Sequence, residues 1–157
     1  MKGLIVFHCW QDMNDPVELE VFENIKILLS SNTAPVLASV VERQDLLDHI
    51  PKGSITNKDL MREENILVLR DWIRQNKITE VYIAGLHYNH CVRQLLTRLW
   101  EVSNLMKLDW EWNFKARVIK ECSAVAENDS VIGLSQYCEQ NKCDLITDIE
   151  EWKTNLK

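Results

Sequence analysis

Five cysteines and four histidines are the side chains in this sequence best suited to nucleophilic or metal chemistry. One cysteine stands apart by its setting. The segment Gly85-Leu86-His87-Tyr88-Asn89-His90-Cys91-Val92 follows a short apolar run, Val81-Tyr82-Ile83-Ala84. It precedes an amphipathic pattern in Val92, Leu95, Leu96, Leu99 and Val102. The chain therefore leaves a strand at a glycine, turns, and enters a helix at a thiol. A thiol at a helix N-terminus sits at the positive end of the macrodipole, which favours thiolate. Backbone N–H groups in the same turn can receive an oxyanion, so nucleophile and oxyanion donors would come from one loop. The competing reading of Cys91 is a small hydrophobe on the inner face of its helix.

Other chemistry is less well supported. His87, His90 and Cys91 together suggest a metal site, but two histidines three apart on a turn are more often solvent-facing or capping groups. Cys138 and Cys143 lack a second Cys or His pair, which argues against a zinc knuckle. Neither a Gly-x-Gly-x-x-Gly nor a Walker-type loop is present, and nucleotide-binding readings fall away. Trp110-Glu111-Trp112 is a candidate pocket lining or subunit interface.

The elements that must position Cys91 follow from periodicity, since only four glycines and three prolines punctuate the chain. Leu4 to Phe7 reads as a strand buried on both faces. Asp15-Pro16 is an N-cap with proline at the first helical position, and Val17, Val21, Ile25, Leu28 and Leu29 continue that helix to about Ser30. Val36 to Val41 is a second strand. Leu46, Leu47 and Ile50 suggest a helical turn, and Pro51-Lys52-Gly53 a loop. A long helix is expected from Asp59 to Asn76, with Ile66, Leu69 and Ile73 on one face. Ala116 to Ile119 is a fourth strand, and a helix is expected around Ser130 to Glu139. A short strand near Leu145-Ile146 and a surface helix over Ile149 to Leu156 complete the chain. This alternation predicts an α/β protein with a mostly parallel, doubly wound sheet between two helical layers. Ligand sites in such sheets lie beyond the carboxyl ends of the strands. Attention falls on His8, Cys9 and Asp12, on Glu42 and Arg43, on Gly85 to Cys91, and on Glu121 and Cys122.

A length of 157 residues favours a single domain over 1–157. Its 46% hydrophobic and 27% charged residues exclude disorder and coiled coil, and no apolar run approaches the roughly 20 residues of a membrane span. Eighteen basic against 24 acidic residues give a net charge of −6, which disfavours nucleic acid as a partner. The odd cysteine count and the absence of a signal-like start point to reduced thiols in a cytoplasmic protein.

The turn from Gly85 to Val92 resembles that of the isochorismatase-like cysteine hydrolases, the superfamily that includes nicotinamidases. Their pattern runs glycine, two residues, threonine, Asn or Asp, one residue, then Cys-Val. Gly85, Asn89, Cys91 and Val92 match it, and Tyr88 replaces the threonine. Leu69 to Ile83 is similar to the helix and strand that lead into that turn, and Ala116 to Ala124 to the strand that follows, with Glu121 where aspartate is common. The resemblance implies a three-layer α/β/α domain with a Cys, Lys and Asp triad acting on a small molecule without a cofactor. Cys91 would attack a carbonyl or imine-like carbon, and a thioester-type intermediate would be hydrolysed. It also implies a non-proline cis peptide at Leu86–His87, aiming the backbone N–H groups of His87 and Cys91 at the oxyanion. Asp12, Trp10 and Asn89 would line the substrate side. Dimers or tetramers are common in the family, so a homo-oligomer is expected.

Three departures bear on function. Aligning the first strand places His8 where the family has its aspartate, with Asp12 on the second acidic position and Met13 on the aromatic. Histidine can serve a thiol as base, as in other cysteine hydrolases. The alternative is a polar residue in a retired site. The triad lysine is either Lys52, in Ile50-Pro51-Lys52-Gly53, or Lys58, whose spacing to Gly85 suits the isochorismatase-like members. The Asp-x-His metal motif of nicotinamidases is replaced by Glu42-Arg43-Gln44, with His49 isolated, so no metal is expected. Three readings follow: a cysteine hydrolase of amide, carbamoyl or vinyl-ether substrates; a catalytically silent relative used for binding or assembly; and a redox-responsive protein using Cys9 and Cys91.

Overall fold

The computed structural model describes residues 1–56, 58–109, 115–127, 129–143 and 145–154. Trp110-Glu111-Trp112 lies outside them.

The apolar run at the start extends into β1 (Lys2–Cys9), buried from Gly3 onward. Helix α1 (Pro16–Ser30) begins as the sequence suggests, and more firmly. Asp15 accepts the Val17 N–H at 2.9 Å, and Glu18 Oε1 accepts the Asp15 N–H at 3.0 Å, a closed capping box. Next come β2 (Val36–Val41) and the short α2 (Gln44–Leu47). A 3₁₀ turn (Glu63–Asn65) then leads into α3 (Ile66–Gln75) and β3 (Glu80–Gly85). The cysteine turn (Tyr88–Val92) leads into α4 (Arg93–Asp109), followed by β4 (Lys115–Ile119). Beyond it lie β5 (Ala124–Glu127), β6 (Ser130–Gly133), α5 (Leu134–Asn141), β7 (Ile146–Thr147) and α6 (Ile149–Lys153).

The main sheet is parallel throughout, in the order β2-β1-β3-β4-β7. Strand β1 sits between β2 and β3, so the chain winds first to one side of β1 and then to the other. The carboxyl end of β1 is the topological switch point, where such sheets open a crevice. One core layer joins Leu4 and Val6 to Val21, Phe22, Ile25 and Leu28 of α1. The other joins Ile5 and Phe7 to Leu69, Trp72 and Ile73 of α3 and to Leu95, Leu99 and Val102 of α4. The expected three-layer α/β/α architecture is the one observed.

Three elements differ from the sequence reading. Ser130 to Gly133 is not the start of a helix but a strand, paired antiparallel with Ala124–Glu127. Helix α5 starts only at Leu134, because Val131 and Ile132 gain more from a pleated pair than from a helical turn. Helix α3 starts at Ile66 and not at Asp59. Asp59 Oδ1 accepts the Met61 N–H at 2.9 Å, and its carbonyl accepts the Arg62 N–H and the Asn65 side chain. Such local bonds divert the backbone from a helix. Helix α6 is no mere surface element, since Trp152 is 0% exposed and meets the Tyr82 ring edge-on at 5.0 Å. Lys2 Nζ donates to the carbonyls of Glu151, Trp152 and Thr154, clasping the end of the described chain to its beginning.

Candidate active site

Residues delivered by β1, by the loop before α3 and by the turn after β3 meet at the switch point. Gly85 makes the turn possible. A Cβ there would lie 1.8 Å from the Phe7 carbonyl oxygen, and its φ of +149° disfavours other residues. The Leu86 N–H donates to that same Phe7 oxygen at 3.2 Å, and Ser123 Oγ donates to the Gly85 carbonyl at 2.7 Å. The Leu86–His87 peptide is cis, at the position the resemblance implied.

Cys91 does not open an ordinary helix. Tyr88–Val92 is a π-type turn broken at His90 (φ −125°, ψ −106°), and α4 begins only at Arg93. The thiol is half-buried. Burial pushes its pKa up, and the Asp59 charge pushes the same way, against its own backbone N–H. The expected thiolate at a helix N-terminus is thus corrected: at rest this sulfur is a thiol.

His8 ends up on an unexpected face. Strict alternation along β1 would put it with Leu4 and Val6 on the α1 side. Its φ of +49° is a left-handed conformation, which costs a non-glycine residue roughly 1–2 kcal/mol. The ring turns to stack on Phe7, at 4.0 Å between centroids. Its Nε2 lies 3.9 Å from Asp59 Oδ1, an ion-pair distance and longer than a hydrogen bond. His8 is 7% exposed, and Nε2 has no hydrogen-bond partner. Burial lowers its pKa below the ordinary imidazole range, with Asp59 opposing. Asp59 thus acts on both groups, and a neutral imidazole has the chemistry to take a thiol proton.

Asp59 is the residue the sequence reading missed. It is the only charged side chain that acts on both His8 and Cys91 among the interactions resolved for those two groups. Its loop is fixed from two sides: the Leu60 N–H donates to buried Ser39 Oγ at 3.0 Å, and Arg98 Nη2 donates to the Met61 carbonyl at 3.1 Å. Its neighbour Lys58, a candidate triad lysine by the resemblance, is exposed. Lys52 lines a cavity with Pro35, Val36 and Asn76, beside the amino ends of the strands. It lies at the wrong edge of the sheet for Cys91.

The remaining expected residues divide. Trp10 is 40% exposed, and its ring lies over His8 at 5.7 Å between centroids. Asp12 is exposed and lines a shallow cavity of about 410 Å³ with Trp10, Gln11 and Glu42. Asn89 donates to the Ala126 carbonyl at 2.6 Å and accepts the Ala126 N–H at 3.2 Å. It ties the cysteine turn to β5, which is a positioning role in place of the expected substrate contact. Cys9 is sealed: it is 0% exposed, its thiol contacts the Phe7 carbonyl at 3.7 Å, and burial raises its pKa far above the ordinary range. The redox reading that paired it with Cys91 loses that partner. Glu121 accepts the Ile149 N–H at 2.9 Å and so serves the start of α6. Among the described residues, no three His, Cys, Asp or Glu side chains converge as a metal site, and no helix is long and apolar enough to cross a membrane.

The fold has a solved counterpart. The chain is similar to an isochorismatase from Pseudomonas putida KT2440, at a TM-score of 0.63 and 13% identity, over 96% of this chain and 89% of that one. The likeness is one of fold. Comparison of the sequence with protein-family models and with curated proteins finds no match.

Proposed function

We propose that this protein is a cysteine hydrolase of a small molecule, an amide, carbamoyl or vinyl-ether substrate, built on a Cys91–His8–Asp59 constellation. The observation that carries it is the left-handed turn at His8, which brings a buried imidazole with an unpartnered Nε2 to Asp59. The isochorismatase counterpart in fold supports the substrate class. On an amide or carbamoyl substrate, Cys91 attacks the carbonyl carbon while its proton passes to His8, and Asp59 stabilises the imidazolium as it forms. The proton then goes to the leaving group, and water hydrolyses the thioester. The backbone N–H groups of His87 and Cys91 receive the oxyanion. Neither Lys52 nor Lys58 is needed.

A silent binding protein is the second reading, favoured by one observation: both burial and Asp59 hold Cys91 protonated. Acylation by p-nitrophenyl acetate against pH separates the two. A base-assisted thiol releases nitrophenolate at a rate that levels off once His8 is neutral. Because its pKa is lowered, that plateau begins below about pH 6.5 and extends through neutrality. His8→Ala should lose the plateau and slow acylation at pH 7 on the order of 10²-fold. A parent protein that climbs steadily into alkaline pH, as His8→Ala does, would assign the silent role.

A further inference from the structure

The site carries a second histidine–carboxylate pair that the acylation chemistry does not use. His87 follows the cis peptide and opens the cysteine turn, its carbonyl accepting the N–H groups of His90 and Val92. Its Nε2 lies 3.1 Å from Glu18 Oε2. Glu18 is 7% exposed, and its other oxygen is held by the Asp15 N–H in the α1 capping box. A carboxylate fixed at both oxygens leaves the imidazole little freedom. Nε2–H donates to Glu18, and Nδ1 is then the ring's acceptor. The pair is closer than His8 and Asp59 (3.1 against 3.9 Å), and its carboxylate comes from α1, while His8 stacks on Phe7 of the core layer that holds α3.

We propose that His87, held in this tautomer by Glu18, is the base that activates water in the second half of the reaction. This rests on the hydrolase reading above. With Cys91 acylated, a water oxygen attacks the thioester carbonyl and gives its proton to His87 Nδ1. The C–S bond breaks, the acid leaves, and the proton returns to the Cys91 sulfur. Two half-reactions thus have two imidazoles, His8 for the thiol and His87 for water. The charges facing His87 are Glu18 and Asp15, with His90 opposing them. Burial keeps the ring neutral and able to accept a proton. Glu18 is a positioning residue: it touches neither water nor substrate.

Acetylating Cys91 with p-nitrophenyl acetate tests the two steps separately. Nitrophenolate release reads acylation, and decay of the acetyl-enzyme in intact mass spectra reads deacylation. His87→Asn should slow deacylation on the order of 10²-fold, with acylation much less affected, so that acetyl-enzyme accumulates. Glu18→Gln still accepts the Asp15 N–H and keeps the helix start. Its amide nitrogen reverses the His87 tautomer, so it too should trap acetyl-enzyme, and Glu18→Asp should restore part of the rate. The pH profile of deacylation in the parent should show one acidic limb that both variants lose. Unchanged decay of the acetyl-enzyme in His87→Asn would overturn the proposal, as would equal slowing of both steps. A parent that forms no acetyl-Cys91 would remove the hydrolase reading itself, and a parent whose acylation ignores His8 but whose deacylation needs His87 would sink only the His8 assignment.

Discussion

At the scale of single residues, Asp59 biases the protonation of two neighbours, behind the larger effect of burial. Its carboxylate raises the Cys91 pKa and favours imidazolium at His8. Asp59→Asn removes the charge, and the asparagine oxygen can still accept the Met61 N–H. The signs follow directly. Without the anion the thiol titrates lower, and the His8 pKa falls further below its ordinary value. Alkylation of Cys91 against pH, together with the His8 ring proton shifts, should show both movements. Acylation at neutral pH should nevertheless fall, on the order of 10-fold or more, because nothing then stabilises the imidazolium as it forms. A Cys91 titration unmoved by the substitution would place Asp59 outside the site.

At the scale of elements, the cysteine turn depends on close backbone approach more than on side-chain packing. β3 passes beside β1 with Gly85 opposite Phe7. Any side chain at 85 must displace the Phe7 carbonyl, which is itself paired to Leu86. Gly85→Ala should therefore destabilise by more than the about 1–3 kcal/mol of ordinary overpacking. A midpoint shift in urea would measure it, and a loss below about 1 kcal/mol would mean that the turn relaxes freely. The glycine was legible in the sequence as the point where a strand stops. Asn89 was legible only as a motif letter. Its partners, the N–H and C=O of Ala126, lie 37 positions away. β6 was hidden for a different reason: its partner β5 lies only a few positions away, but Val131-Ile132 is too short an apolar run to tell a strand from a helix.

For the molecule as a whole, buried His8 and half-buried His87 tie stability to pH. Both His8 and His87 have pKa values lowered by burial, so between those values and about 6.5 the unfolded chain binds more protons than the folded one. Stability is fully present above about pH 6.5 and is lost as pH falls through the folded values. Urea midpoints should drop between pH 7 and pH 5, and His8→Asn combined with His87→Asn should flatten the drop. An equal drop in the double variant would assign the acid sensitivity to other groups.

The alternation of apolar runs and amphipathic stretches determined the layered parallel sheet. That follows because burial of a strand on both faces, or of a helix on one, writes itself into local spacing. The cysteine turn was equally local: Gly85 and Cys91 lie within seven residues of one another, and their place beyond a strand follows from order along the chain. Partnership was not local. Whether His8 faces α1 or α3 depends on one backbone rotation. Asp59 reaches His8 from 51 positions away, and Glu18 reaches His87 from 69. Such pairs are decided by how the sheet winds about β1, because only folding fixes which charged groups leave water together.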